Sequence, residues 1–252
     1  MNKNNTLLTL PGAIVIAAAL IAIAIIYVKK PVQQAVTPAN TAQAIAQAQQ
    51  ISIPVVTAAD HIFGNPNAPI KIVEYSDPSC PFCKMFHPIM KQVMTNYGPT
   101  GQVAWVYRHF PLDTPDQNGN ILHKNAGHES QAMECAATLG GNDGFWAFVN
   151  RLYEVTPAVT SQSPDGLDQK QLPEIAKYAG INAVSFNECL TSGRFKDKVG
   201  QDYLGGINAG ISGTPFSIII TPAGTKIPLP GLQTYATMKT AIDAIISSEK
   251  TK

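Results

Sequence analysis

Cys80 and Cys83 stand three positions apart in SDPSCPFCKMF, residues 76 to 86, with only Pro81 and Phe82 between them. Such a pair can supply half of a zinc site, close a short structural disulfide, or open and close as a redox dithiol. Structural zinc takes four ligands, commonly from two close pairs. The chain has four cysteines, and the other two, Cys135 and Cys189, are isolated and 54 residues apart. His87, one turn beyond Cys83, does not complete a tetrahedron, so ligand count argues against zinc. A structural disulfide and a redox dithiol both remain on the pair alone.

The flanking elements bear on that choice. IKIVEYS, Ile70 to Ser76, is β-branched and aromatic and is bounded by Pro69 and by Asp77-Pro78, which predicts a buried strand. Pro81 suits a first helical turn, and Phe82, Met85, Phe86, Ile89, Met90, Val93 and Met94 recur at helical spacing as far as Tyr97, before Gly98-Pro99. Pro88 within that run is expected to kink it. A strand that delivers Cys80 to the start of a helix places its sulfur near unpaired backbone N–H groups and the positive end of the helix dipole. Such a setting can bring a cysteine pKa from about 8.5 into a range of about 3.5 to 7.5, and the thiolate is the reactive form. Stabilising that anion also makes the disulfide more oxidising.

VAWVYRHF, Val103 to Phe110, predicts a second strand, giving one βαβ unit with parallel strands. Phe216 to Thr221 predicts a strand, TKIPLPG a short partner, and 234 to 248 a closing helix, so the chain ends ββα. The interval between is far too long for a loop. Five stretches in it read as helices, from HKNAGHESQAMECAATLG and GFWAFVNRLYEV to RFKDKVGQDYLGGINAG, with LPEIAKYAG and NAVSFNECL between. The expected class is α/β, with βαβ and ββα halves interrupted by an all-helical subdomain over about 112–210.

The 252 residues are 45% hydrophobic and 14% charged with a net charge of +1, enough for a substantial core and without the basic block that nucleic acid would need. Residues 1–9 read as a short tail. Residues 10–28, LPGAIVIAAALIAIAIIYV, carry no charge and match the roughly 20 residues of a membrane-spanning helix. The run is longer than a usual signal-peptide core and lacks an A-x-A closure, so an uncleaved anchor is expected. Lys29 and Lys30 outnumber Lys3, which by charge alone would favour a cytoplasmic body. That bias is small, and long domains translocate largely regardless of charge. Residues 29–59, rich in Ala and Gln, read as a linker to a folded body at 60–252.

From Asp60 onward the chain resembles the DsbA-like thiol-disulfide oxidoreductases, thioredoxin-fold proteins with an inserted helical subdomain. GNPNAPIKIVEYSDPSCPFC, RHFPL, AMECAATLGGNDGFWAF and GTPF carry the resemblance, in the family's order. It implies that Cys80 is the exposed nucleophile, Cys83 its resolving partner, and Glu74 a buried proton acceptor beneath the dithiol. It also implies that the Thr214-Pro215 bond is cis and packs against the dithiol, with the backbone before the proline available to pair with an extended substrate. The alternative for Glu74 is a strand-end side chain reaching solvent. Phe82 brings neither charge nor a polar donor to the thiolate, so moderate oxidising power is expected. His87 and His109 read as surface or packing residues. Cys135 and Cys189 are either a second disulfide, as in some related proteins, or buried free thiols.

Together with the apolar segment at 10–28 this reads as a membrane-tethered enzyme facing the extracytoplasmic space, an oxidase of reduced secreted proteins with no cofactor or metal of its own, and the resemblance implies a quinone-linked membrane partner to reoxidise it. A reductase or isomerase on the same fold, and a non-catalytic envelope binding protein with structural cysteines, are the rival readings.

Overall fold

In the computed structural model, residues 51–115, 118–157 and 166–250 are described. The expected span at 10–28, and the linker as far as residue 50, lie outside them. Among the described residues no helix is long and apolar enough to cross a membrane.

Among the described residues, five strands form one sheet: β1 (His61–Gly64), β2 (Ile70–Ser76), β3 (Val103–His109), β4 (Phe216–Ile220) and β5 (Lys226–Pro230), in the order β1-β3-β2-β4-β5. β2 and β3 are parallel, with Glu74 opposite Tyr107 and Ser76 opposite His109; the other pairings are antiparallel. Parallel pairing of β2 and β3 follows from the intervening helix α1 (Pro81–Tyr97), which crosses back over the sheet. β1 was not expected. Four residues, HIFG, are too few for a periodic signal, and pairing with β3 is what makes them a strand.

α1 has the predicted bounds. Its buried face, Cys83, Phe86, His87, Met90, Val93, Met94 and Tyr97, repeats at three and four residues and packs on β3 and on the last helix, α6 (Tyr235–Lys250). Each fully buried Phe or Met there contributes about 1.5–3 kcal/mol relative to exposure. The helix runs through Pro88 without a break. Pro88 is on the exposed side, where water can take the carbonyl it leaves unbonded.

The helical interval contains α2 (Ala126–Val155), a short 3-10 turn at Gln169–Gln171, α3 (Leu172–Tyr178), α4 (Ala183–Thr191) and α5 (Lys196–Asn208). The two helices expected at 123–140 and 144–155 are one element broken at Gly141, whose φ of 66° is open mainly to glycine. α2, α3 and α4 pack together, and α5 packs both on α2 and on β3, the latter on the other face of the sheet. It does so closely: a Cβ on Gly206 would lie 2.6 Å from the Phe110 ring.

Strand periodicity splits the core in two. Ile70, Ile72, Trp105 and Tyr107 join the larger cluster under α1, α2 and α6; Val73, Tyr75, Val106, Phe110 and Ile218 join a smaller one on the opposite face. The smaller cluster also takes in Ile51, Ile53 and Val56, and Arg108 donates to the carbonyls of Pro54 and Val55. The linker expected to extend through residue 59 therefore ends sooner. The apolar run ISIPVV docks on the sheet, because Arg108 and the exposed edge of that core would otherwise lack cover.

Candidate active site

β2 alternates its side chains, so Glu74 and Ser76 continue the inward row of Ile70 and Ile72 to the strand's C-terminal end. The chain then turns through Asp77-Pro78 into α1. Cys80 is the N-cap residue of that helix and Cys83 lies one turn in, so the dithiol stands above the end of the inward row.

Asp77 fixes the turn. Its fully buried carboxylate accepts from the backbone N–H of Ser79 at 2.7 Å, the N–H of Leu112 at 2.8 Å and His123 Nδ1 at 2.9 Å. Its own N–H donates to Cys83 Sγ at 3.5 Å, and its carbonyl accepts from Cys80 N–H at 3.1 Å. One residue thus ties the strand end to both cysteines and to the loop preceding α2.

The two thiols are driven apart. A hydrogen bond from Cys83 is the largest influence on Cys80 and, with contacts to Thr214 and the Cys83 backbone, lowers it from 9.0 to about 6 against the opposing effect of burial. Burial, above all, pushes Cys83 well up, and the charges of Cys80 and Glu74 push the same way. Cys80 Sγ lies 3.6 Å from the carbonyl oxygen of Thr214, and the Thr214-Pro215 peptide is cis. Cys80 is not the exposed residue expected: only 4% of it is accessible. The Thr214 carbonyl lies against its sulfur, while Phe82 at 56% and Met85 at 55%, two and five positions further on, are an exposed apolar pair.

Glu74 does not reach solvent. It is buried, and Trp105 donates its indole N–H to Glu74 Oε2 at 2.9 Å. Burial raises its pKa from 4.5 to about 7, with hydrogen bonds from Ser76 and Trp105 partly opposing. The charge of Cys80 adds to the rise. A carboxyl that titrates near neutrality beside two thiols of opposite displacement is equipped to hold or release a proton as they change state.

Several participants were not legible in advance. Ser79 Oγ donates to Glu129 Oε2 at 2.7 Å, and Gln169 Nε2 donates to Glu129 Oε1 at 2.8 Å. Burial takes Glu129 up to about 7 as well. Its position three and four residues before Ala132 and Met133, on an apolar helix face, was a usable signal. Burial pulls His123 down, but the hydrogen bond and charge of Asp77 and the charge of Cys80 raise it overall. Nothing in the local sequence marks His123. Tyr153 bridges Ser76 at 3.1 Å and the Asp77 carbonyl at 3.2 Å, closing the polar floor of the site.

The remaining expected residues fall as follows. Cys135 on α2 and Cys189 on α4 are joined as a disulfide, and Cys80 and Cys83 are free thiols. His87 and His109 are both buried rather than on the surface. His87 packs between Trp105 and Tyr153 with Nε2 2.7 Å from Asn150 Oδ1, and burial lowers it to about 4. His109 Nε2 is 2.9 Å from Glu134 Oε1.

A family model described as Thioredoxin matches residues 56–244. The crystal structure of Pseudomonas aeruginosa DsbA2 superposes with a TM-score of 0.60 at 26% identity, covering 75% of this chain and 96% of that one. A Rickettsia felis chain, provisionally named a protein-disulfide oxidoreductase, is 24% identical over 198 residues, 77% of this chain and 62% of its own length. The Na(+)/H(+) antiporter NhaA 3 of Salinispora tropica is 28% identical over 182 residues, 71% of this chain but 25% of the antiporter. The chain therefore spans about a quarter of the length of that relative.

Proposed function

Because the chain belongs to the thioredoxin family, we propose that it is a thiol-disulfide oxidoreductase of the DsbA type, with Cys80 and Cys83 as its redox centre. The observation that carries this reading is the placement of the two sulfurs, Cys80 at the N-cap of α1 against the Thr214 carbonyl at 3.6 Å and Cys83 fully buried one turn in, above the buried Glu74 carboxyl, an arrangement that lowers the first thiol and raises the second.

In the oxidising direction a substrate thiolate attacks Cys80 Sγ of the Cys80–Cys83 disulfide. The sulfur–sulfur bond breaks, a substrate–Cys80 bond forms, and Cys83 leaves with the electron pair. A thiolate of high pKa is a poor leaving group, and Glu74, close enough for its charge to act on Cys83, supplies the proton. A second substrate thiolate then attacks the substrate sulfur of the mixed disulfide. Cys80 departs as a stable thiolate, so the product is a substrate disulfide and a reduced enzyme. The low pKa of Cys80 favours this second step, which is why the oxidase direction is preferred over reductase or isomerase. The exposed pair Phe82 and Met85 offers an apolar edge to an unfolded, reduced protein substrate, and the Thr214 backbone lies at the sulfur.

The apolar segment at 10–28 supports a single-pass anchor holding the domain at the extracytoplasmic face, periplasmic or at the cell exterior, where disulfides persist. Tethering would keep the enzyme at high effective concentration near a quinone-linked membrane partner that reoxidises the dithiol. Full-length chain should sediment with membranes and lose that association when residues 1–30 are deleted.

Equilibration with glutathione tests the direction. Lacking a polar donor at Phe82, the pair should be less oxidising than about −120 mV but well above about −270 mV, the value of a strongly reducing thioredoxin. A potential near the latter would defeat the oxidase assignment.

A further inference from the structure

His61 from β1, His109 from β3 and Glu134 from α2 take no part in the exchange chemistry, yet they converge. Both imidazole Nε2 atoms reach the same carboxylate oxygen, His61 at 2.8 Å and His109 at 2.9 Å. The three ligating atoms all lie within 4.8 Å of one another. Side chains from elements so distant in sequence meet in the core, with residue exposures of 8% for His61, 0% for His109 and 5% for Glu134.

A carboxylate at such a depth needs positive charge beside it. Lys198 Nζ is 3.8 Å from the same oxygen but is engaged at 2.8 Å by Asp202, so its charge is shared. Two imidazole nitrogens and one carboxylate oxygen are a donor set suited to zinc and its neighbours, and not to magnesium or calcium, which favour oxygen alone. Tetrahedral zinc with bonds of about 2.0–2.2 Å sets its ligand atoms about 3.3 Å apart, so the imidazole–carboxylate contacts need open by only about half an ångström.

We infer that His61, His109 and Glu134 form a binding site for one zinc-class divalent ion, separate from the dithiol, that fastens β1 and β3 to α2. On binding, the Nε2 lone pairs turn to the metal, and any proton they carry moves to Nδ1 or to solvent. His109 Nδ1 has no hydrogen-bond partner among the described residues and is open to take it. α2 also carries Cys135 and Glu129, so the ion would brace the helix that joins the disulfide to the polar surround of the active site.

The test uses full-length chain oxidised at Cys80 and Cys83, so that neither thiol can ligate. After chelator treatment, zinc addition and desalting, elemental analysis should find about one zinc per chain, and zinc should raise the melting temperature. Glu134→Gln and His109→Gln should each weaken zinc binding at least about tenfold and lose the thermal shift. If these fail to fold, His61→Phe is the alternative, since His61 already stacks on Phe145 with ring centroids 3.6 Å apart. Cobalt in wild type should give visible bands of a low-coordinate nitrogen–oxygen site. Failure of wild type to retain zinc, undiminished binding in the variants, or cobalt bands in the reduced chain with none of any kind in the oxidised chain would overturn the site.

Discussion

Trp105 donates its indole N–H to Glu74 Oε2 across 2.9 Å, beneath the cysteine pair. An indole can only donate, so it steadies the carboxylate without being able to accept its proton. Ser76, whose hydroxyl also bonds the carboxyl, can both donate and accept, so a proton on Glu74 can be exchanged there and not through the indole.

Trp105→Phe therefore removes a donor to the charged form and should lift the Glu74 pKa above about 7. A hydrogen bond to a charged group contributes about 1.5–3 kcal/mol, so the pH midpoint of mixed-disulfide formation, the step in which Cys83 leaves, should move up by about one to two pH units. Stopped-flow rates across pH measure it. An unmoved midpoint would remove Glu74 from proton transfer.

Glu74 also has a cost in stability. Its folded pKa, about 7, exceeds the ordinary 4.5, so between those values the folded chain holds a proton that the unfolded chain lacks. Stability contributed this way is present below about 4.5 and declines as pH rises to about 7. In oxidised protein, where the charge of Cys80 is absent and burial alone raises the carboxyl, Glu74→Gln should be more stable than wild type at pH about 8, by less than about 3 kcal/mol, with the difference vanishing in acid. Urea unfolding at the two pH values decides it, and a constant difference would contradict the burial of the charge.

How much of this was readable from the residues depended on range. β2 and α1 were legible with their bounds because each is specified locally, by a β-branched run, by prolines and by helical spacing. The dithiol was legible for the same reason, and its family motifs pointed to Glu74 and Pro215. β1 was not, because four residues become a strand only against β3. Nor was the docking of residues 51–59, whose apolar character is diluted in a Gln- and Ala-rich stretch. Asp77 with His123, and Glu129 with Ser79, are separated by 46 and 50 positions, and only the folded chain reveals these partnerships.

The roles of the two redox cysteines should be separable. Cys83→Ser should accumulate a mixed disulfide on Cys80 when offered a small disulfide, because no resolving thiol remains. Cys80→Ser should not react appreciably, its remaining thiol being fully buried. Mass spectrometry of the adducts would show the opposite pattern if Cys83 were the attacking sulfur.

Cys135 and Cys189 close a loop of 54 residues. Replacing both by Ala should lower stability by roughly 4 kcal/mol on the chain-entropy model. Because the bond lies in the helical insertion, the pH midpoint for alkylation of Cys80 should be unaffected. A large shift in that midpoint would mean that the second disulfide sets the first.

The most direct measurement is the pH dependence of alkylation of the reduced Cys80–Cys83 pair, with the Cys135–Cys189 bond intact and the modified residue mapped. Cys80 should react first, with a midpoint near 6. A midpoint near the ordinary 9.0, or prior reaction at Cys83, would contradict a thiolate held ready at the start of α1.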